Sequence, residues 1–277
     1  MITALCGWYW QSGHSAGVAF VSAAPLLGPI GDANFGGLSG YEIAGGRRHL
    51  LTDRGRLYEL SGGKITSVAL QDVNGAPLGR HANDSEGLVA LADGRFAISF
   101  EGRHRVDIYD GATGAIVAVL PVAEGFERLG RNAGLEALAL SRAGELVAIA
   151  ERSGASRRPF PVFVFDGKTW TKTSVSRRGA FLPVGADFGP DGRLYLLERD
   201  YFLGGFRTRI RRFDWRDGAP LGEETLLKTR FFRHGNLEGI AVVEGQGGPY
   251  IEMISDDNFL PVQARELVRY RIKKPLK

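Results

Sequence analysis

The sequence predicts an all-β chain folded as a β-propeller, and three observations carry that prediction. A hydrophobic hairpin with acidic residues near one end recurs five times, at positions 39, 86, 136, 187 and 238, separated by 47, 50, 51 and 51 residues. A period of that size in strand-rich units marks blades arrayed around an axis. Asp-Gly pairs suited to tight hairpins lie between the short apolar runs, at Asp93-Gly94, Asp110-Gly111, Asp166-Gly167, Asp191-Gly192 and Asp217-Gly218. No segment sustains a helical period, so almost no helix is expected.

Taken in order, the first blade runs from residue 35 to about residue 71. The second divides into strands at 86–91, 95–100, 106–109 and 115–122, and the third at 135–140, 146–150, 161–165 and 170–175. The fourth gives 184–188, 193–197, 208–213 and 224–229. The fifth is one strand short, with 237–243, 250–255 and 267–272 before the chain ends. A ring must close, so the apolar residues between 17 and 27 are expected to supply its missing strand and lead through Gly31-Asp32-Ala33-Asn34 into blade one. That makes five four-stranded blades, while six would need strands hidden in the first 35 residues. The expected division is an N-terminal segment, 1–34, and a propeller domain, 35–277. Val21-Ser22-Ala23 is similar to a small-residue cleavage site, so a signal-like role competes with the closing strand. Against it, no Lys or Arg precedes Arg47, and the apolar stretch is too short to span a membrane.

Composition narrows the function classes. The 277 residues, 44% of them hydrophobic, suffice for one large core. The single cysteine, Cys6, excludes an intramolecular disulfide and a cysteine-rich metal site. A net charge of +4 would suit an anionic partner. The basic residues form no single block, however. Arg157-Arg158, Arg177-Arg178 and Arg207 to Arg212 belong to different repeats and are expected on solvated outer strands and loops. With no recognition motif, no nucleic-acid partner is expected, and no transmembrane segment; a monomer is expected.

The acids carry the chemistry. The ends of an antiparallel hairpin that lie far from its turn lie beside each other. Glu86 is therefore expected beside Glu101, Glu136 beside Glu151, Asp187 beside Glu198, and Glu238 beside Asp256 or Asp257, with Asp53 facing the uncharged Ser39. Crowded at one end of a channel, such carboxylates must take up protons, pair with cations or bind metal. Oxygen-only ligands suit hard ions, Ca²⁺ above all, then Mg²⁺ or Mn²⁺. A metal is expected off-centre, nearer Glu238 and Asp256 than Ser39. Arg54, Arg152 and Arg199 follow acids directly and could neutralise them or hold an anionic substrate. Propeller acids also serve as blade-to-blade clasps without any catalytic role, and a non-catalytic ligand-binding or scaffolding module is the competing function. A serine hydrolase is a poor fit, since no G-x-S-x-G elbow occurs.

The motif series resembles the family described as the esterase-like activity of phytase, the phytase-like domain. The residues that carry the resemblance are Phe35-Gly36-Gly37-Leu38-Ser39-Gly40, Thr52-Asp53-Arg54-Gly55, Asp84-Ser85-Glu86-Gly87, Gly134-Leu135-Glu136-Ala137-Leu138, Leu197-Glu198-Arg199, and Asn236-Leu237-Glu238-Gly239-Ile240 with Ser255-Asp256-Asp257-Asn258. The resemblance implies a propeller that hydrolyses a phosphate or carboxylic ester of a small anionic substrate, with calcium, and a periplasmic or secreted location. On that reading Glu136 and Glu238, with His234 just upstream, are the catalytic candidates. Asp53, Glu86, Glu101, Glu151, Glu198, Asp256 and Asp257 are the metal candidates, and Arg54, Arg152 and Arg199 would hold substrate.

Overall fold

The computed structural model describes residues 13–79, 83–130, 134–260 and 262–273; Cys6, His81 and the first twelve residues of the expected N-terminal segment lie outside these. Five four-stranded antiparallel sheets stand around one axis. Blade one is β2 (Leu38–Ala44), β3 (Arg47–Thr52), β4 (Arg56–Ser61) and β5 (Lys64–Ala69). Blade two is β6 (Ser85–Ala90), β7 (Arg95–Phe100), β8 (Arg105–Asp110) and β9 (Ile116–Val119), and blade three is β10 (Ala137–Leu140), β11 (Leu146–Ile149), β12 (Phe160–Phe165) and β13 (Trp170–Val175). Blade four is β14 (Leu182–Phe188), β15 (Leu194–Phe202), β16 (Gly205–Arg216) and β17 (Ala219–Lys228). Blade five combines β18 (Asn236–Val243), β19 (Tyr250–Asp256) and β20 (Glu266–Ile272) with β1 (Val18–Pro25) from the other end of the chain. The five innermost strands β2, β6, β10, β14 and β18 touch in ring order, and β18 closes on β2.

Closure follows the expectation. β1 pairs antiparallel with β20 from Val18 opposite Ile272 to Pro25 opposite Glu266. Without it β20 would present an open edge of unpaired amides. The only helical pieces among the described residues are two single 3₁₀ turns, Ala92–Gly94 and Phe126–Arg128. No described helix is long and apolar enough to cross a membrane.

Burial explains which sequences became which strands. A strand sandwiched between neighbouring blades loses water on both faces, so it reads as an unbroken apolar run. β11 is Leu-Val-Ala-Ile and wholly buried, whereas the outermost β9 leaves Val117, Ala118 and Val119 exposed. Apolar clusters fill each blade-to-blade contact. Val184, Leu197 and Ile210 meet Leu237, Ile240 and Met253 between blades four and five, for example.

The expectation that Arg207 to Arg212 line a solvated face is corrected by the same alternation. Arg207, Arg209 and Arg211 point inward and are buried. Arg207 Nη2 donates to Asp200 Oδ2 at 2.6 Å, while Arg209 and Arg211 both hold Glu198. Five arginines and acids thus bind blade four internally and toward blade three, where Arg211 Nη1 donates to the Ser176 carbonyl at 2.9 Å.

One irregularity sets up the axial site. The innermost strand shifts register at its start in four blades, between Leu38 and Gly40, Ser85 and Leu88, Pro183 and Gly185, and Leu237 and Gly239. Such a bulge re-aims the skipped side chain. The skipped residues are Ser39, Glu86 with Gly87, Val184 and Glu238; in blade three Glu136 stands immediately ahead of β10. Blade four therefore has Val184 in this place, and Asp187 lies three residues deeper along β14. The glycine after the skipped residue permits close approach to the axis. A Cβ on Gly87 would sit 2.5 Å from Leu138 Cβ, and one on Gly185 2.5 Å from the Glu238 carbonyl oxygen. Gly40, Leu88, Leu138, Ala186 and Ile240 leave only about 10 Å³ at the axis, room for about one water. The acids rim a bowl above this narrow axis.

Candidate functional site

The bowl is built where the hairpins open. In three blades the amide of the second-strand acid donates to a carbonyl just ahead of its own inner strand: Asp53 to Gly37 at 2.7 Å, Glu101 to Asp84 at 2.8 Å and Glu151 to Gly134 at 3.0 Å. In blade five Asn236 and Asp256 lie directly opposite each other. These pairings, with the bulges, carry the acids of four blades to one mouth. Blade four contributes a cation instead. Arg199 forms an ion pair with Glu238, donates to Asn236 Oδ1 at 3.0 Å and lies 3.4 Å from Glu151 Oε1. Asn236 Nδ2 donates in turn to Glu238 Oε1 at 2.8 Å. Arg199 thus bridges the acids of blades three and five.

The remaining carboxylates are undercompensated. Burial, and then the nearby Asp256, push Asp53 up to about 7. Burial followed by Glu136 holds Glu86 well above the carboxylate range, and burial followed by Glu151 raises Glu136 to about 8. Asp256 is pushed up to about 6, mainly by burial. Asp84 and Glu101 are raised by the same cause. A rim of acids this close cannot ionise fully without a compensating cation.

Oxygens of Asp84, Glu86 and Glu101 lie within 4.8 Å of one another, a separation that carboxylates around one Ca²⁺ can span at 2.3–2.6 Å each. Asp53 Oδ1 is buried with no hydrogen-bond partner. An all-oxygen donor set, an orphaned carboxylate oxygen and surplus negative charge fit a hard divalent cation. The tightest cluster among the described residues is in blade two, not beside Glu238 and Asp256 as expected. The reason is Arg199, which already neutralises Glu238. Asp84, not among the expected ligands, opens the Asp84-Ser85-Glu86-Gly87 motif; its place is legible there, its convergence with Glu101 is not.

Several expected site residues lie elsewhere. Glu198 is fully buried and its two oxygens are taken by Arg209 and Arg211 at 2.6–3.0 Å, leaving none for a metal. Strand alternation is the cause, since it turns Arg199 to the bowl and Glu198 away from it. Asp187 pairs across the strands with Tyr195, not Glu198. Its Oδ2 accepts from the Val242 amide at 2.6 Å, a clasp from blade four to blade five. His234 is buried beneath Phe20, with Nε2 2.8 Å from the Tyr270 hydroxyl. Burial and Arg233 lower it to about 4, so it is neutral at pH 7 and away from the bowl. Arg152 is at the rim, 2.9 Å from Glu151, and Arg54 lies 4.0 Å from Asp53 and 3.4 Å from the centroid of Phe259. Asp257 Oδ1 accepts from the Gly37 amide at 3.1 Å. Ser39 donates to the Ser85 carbonyl at 2.6 Å and is structural.

Comparison with known proteins agrees with this architecture. Residues 33–259 match the family described as phytase-like, esterase-like activity of phytase. Among solved structures, a glutaminyl cyclase from Myxococcus xanthus is 15% identical with a TM-score of 0.53, covering 93% of this chain and 97% of that one. A luciferin-regenerating enzyme is 13% identical (TM-score 0.48; 90% and 95% covered). A calcium-binding regucalcin from Agrobacterium tumefaciens is 17% identical (TM-score 0.47; 87% and 71% covered). At 15% identity the likeness to the glutaminyl cyclase speaks to the fold alone. No curated protein gives a significant match. The chain belongs to the phytase-like family.

Proposed function

With the chain a member of the phytase-like family, we propose that it hydrolyses the ester bond of a small anionic ester, phosphate or carboxylic, at the acidic bowl. The observation that carries this reading is the convergence of Asp84, Glu86 and Glu101 within 4.8 Å in a rim whose carboxyls are held above their ordinary range. Asp84, Glu86 and Glu101 would hold Ca²⁺, with Asp53 beside them. Bound there, the ion would draw charge from the ester oxygen and acidify a water.

The chain's own groups divide the proton work by their different environments. Asp256, at about 6, is ionised at pH 7 and can accept a proton from the attacking water. Glu136, buried and raised to about 8 in the cation-free rim, is the better proton donor and can give its proton to the leaving oxygen. Water oxygen bonds to the acyl carbon or phosphorus, the ester bond to the leaving oxygen breaks, and acid and alcohol are released. Glu238 and Asn236 hold Arg199 in place to offset substrate charge, and Arg152 and Arg54 extend that role along the rim.

The competing reading is a non-catalytic module whose acids clasp blades. Glu198 favours it, and so does Glu252, which binds Tyr41 and Arg48 of blade one at 2.5 and 2.9 Å. Turnover of p-nitrophenyl phosphate and p-nitrophenyl acetate decides between them, measured with Ca²⁺, with chelator, and on Glu86→Gln and Glu136→Gln. Cation-dependent turnover lost in both variants supports the hydrolase. Absence of turnover, together with a melting temperature indifferent to Ca²⁺, would leave the scaffold.

A further inference from the structure

Between blades one and five, beside the acidic rim, lies a groove of about 510 Å³ that Asp257 helps to line. The buried Leu26 and Phe35 and the exposed Leu27 and Leu260 line it, together with the charged Asp32 and Arg265. Leu27 is 75% exposed and Leu260 46%, so large apolar side chains face water beside a rim of acids. Asp257 and Phe259 stand at the end of the groove nearest the rim. Asp257 reaches the bowl through the Gly37 amide, and Phe259 underlies the Arg54 guanidinium.

Phe259 is held at this junction against its backbone preference. Asn258 and Phe259 have φ of 47° and 52°, a region that bulky L residues rarely adopt and that tends to mark functional positions. The bowl's own acids hold them there. Asn258 N–H donates to Asp256 Oδ1 at 2.8 Å, and Phe259 N–H to Asp257 Oδ1 at 3.1 Å. Glycines make the space, since a Cβ on Gly36 would sit 2.9 Å from Asp257 Oδ1 and 3.0 Å from the Phe259 ring. The acidic loop therefore builds an aromatic shelf where the polar bowl gives way to apolar wall.

We propose that the groove seats the acyl chain of an amphipathic ester whose polar ester group lies in the bowl. This rests on the hydrolase reading above and deepens it, because a densely charged polyol would leave the apolar wall unused. Each methylene buried there should tighten binding about fourfold. The first test does not need turnover: octanoate displaces 1-anilinonaphthalene-8-sulfonate from the wild type, Leu260→Asp and Leu221→Asp, the last an exposed leucine of blade four. Saturable displacement, weakened at least tenfold in Leu260→Asp and unchanged in Leu221→Asp, supports the groove. No saturable binding, or equal loss in both variants, overturns it. The second test compares p-nitrophenyl acetate, butyrate and octanoate. KM should fall about fifteenfold from acetate to butyrate, and that dependence should vanish in Leu260→Asp; a KM indifferent to chain length overturns the proposal. Octanoate binding that Leu260→Asp abolishes, with no ester turned over, would defeat the hydrolase reading and leave the groove standing.

Discussion

Replacing Glu136 by Gln should make the cation-free protein more stable at pH 8 and no more stable at pH 4.5. Burial and the neighbouring Glu151 push the Glu136 carboxyl from 4.5 up to about 8. The folded chain therefore keeps a proton that the unfolded chain releases, and stability falls as pH rises through that window, levelling off above it. At about 1.4 kcal/mol per pH unit, a carboxyl titrating alone would lose roughly 3 kcal/mol by pH 7. Glu86 and Glu101 draw on the same protons, so about half of that is the expected gain in Glu136→Gln. Roughly 5 °C in Tm follows for a chain of this size. Thermal melts of both proteins in chelator at pH 4.5, 6, 7 and 8 would measure it. A gap that stays constant across that range would refute the claim that the rim is held against its own ionisation. Saturating Ca²⁺ at pH 8 should raise both proteins, by about 2.7 kcal/mol at a hundredfold excess over Kd, because the variant keeps Asp84, Glu86 and Glu101.

Two further substitutions test other parts of the account. Glu198→Ala leaves Arg209 and Arg211 buried without their carboxylate and should destabilise by about 3–5 kcal/mol in urea unfolding; a near-neutral result would contradict the clasp assigned to it. Gly87→Ala places a Cβ 2.5 Å from Leu138 Cβ and 2.7 Å from Ser99 Oγ, and should destabilise by about 1–3 kcal/mol. An unchanged urea midpoint there would mean that the inner strands are not packed to contact around the axis.

The blade pattern was legible because burial on both faces and Asp-Gly turns leave local signatures. The apolar run at 115–122 is longer than its strand, since β9 is only Ile116–Val119 and nothing in such a run announces where pairing stops. In blade four the sequence makes Asp187 look like the counterpart of Glu86 and Glu238, because an acid near the right spacing looks equivalent. Only the bulge, which skips Val184, shows otherwise. The Arg207 to Arg212 run misled in the same way: charged residues alternating in sequence do not reveal that a buried carboxylate awaits every second one.

By itself the sequence determined the repeat, the all-β class, five blades and the closing strand, because each depends on short-range periodicity and on hydrogen bonds that a chain end must satisfy. It also placed acids at the open ends of the hairpins. The tertiary structure decided which acids meet. Whether a carboxylate joins a metal-sized cluster, as Glu86 does with Asp84 and Glu101, or is consumed by arginines, as Glu198 is, depends on bulges and on the face each strand turns to its neighbour. Those are angles of a few residues summed around a closed ring, and no local pattern records them.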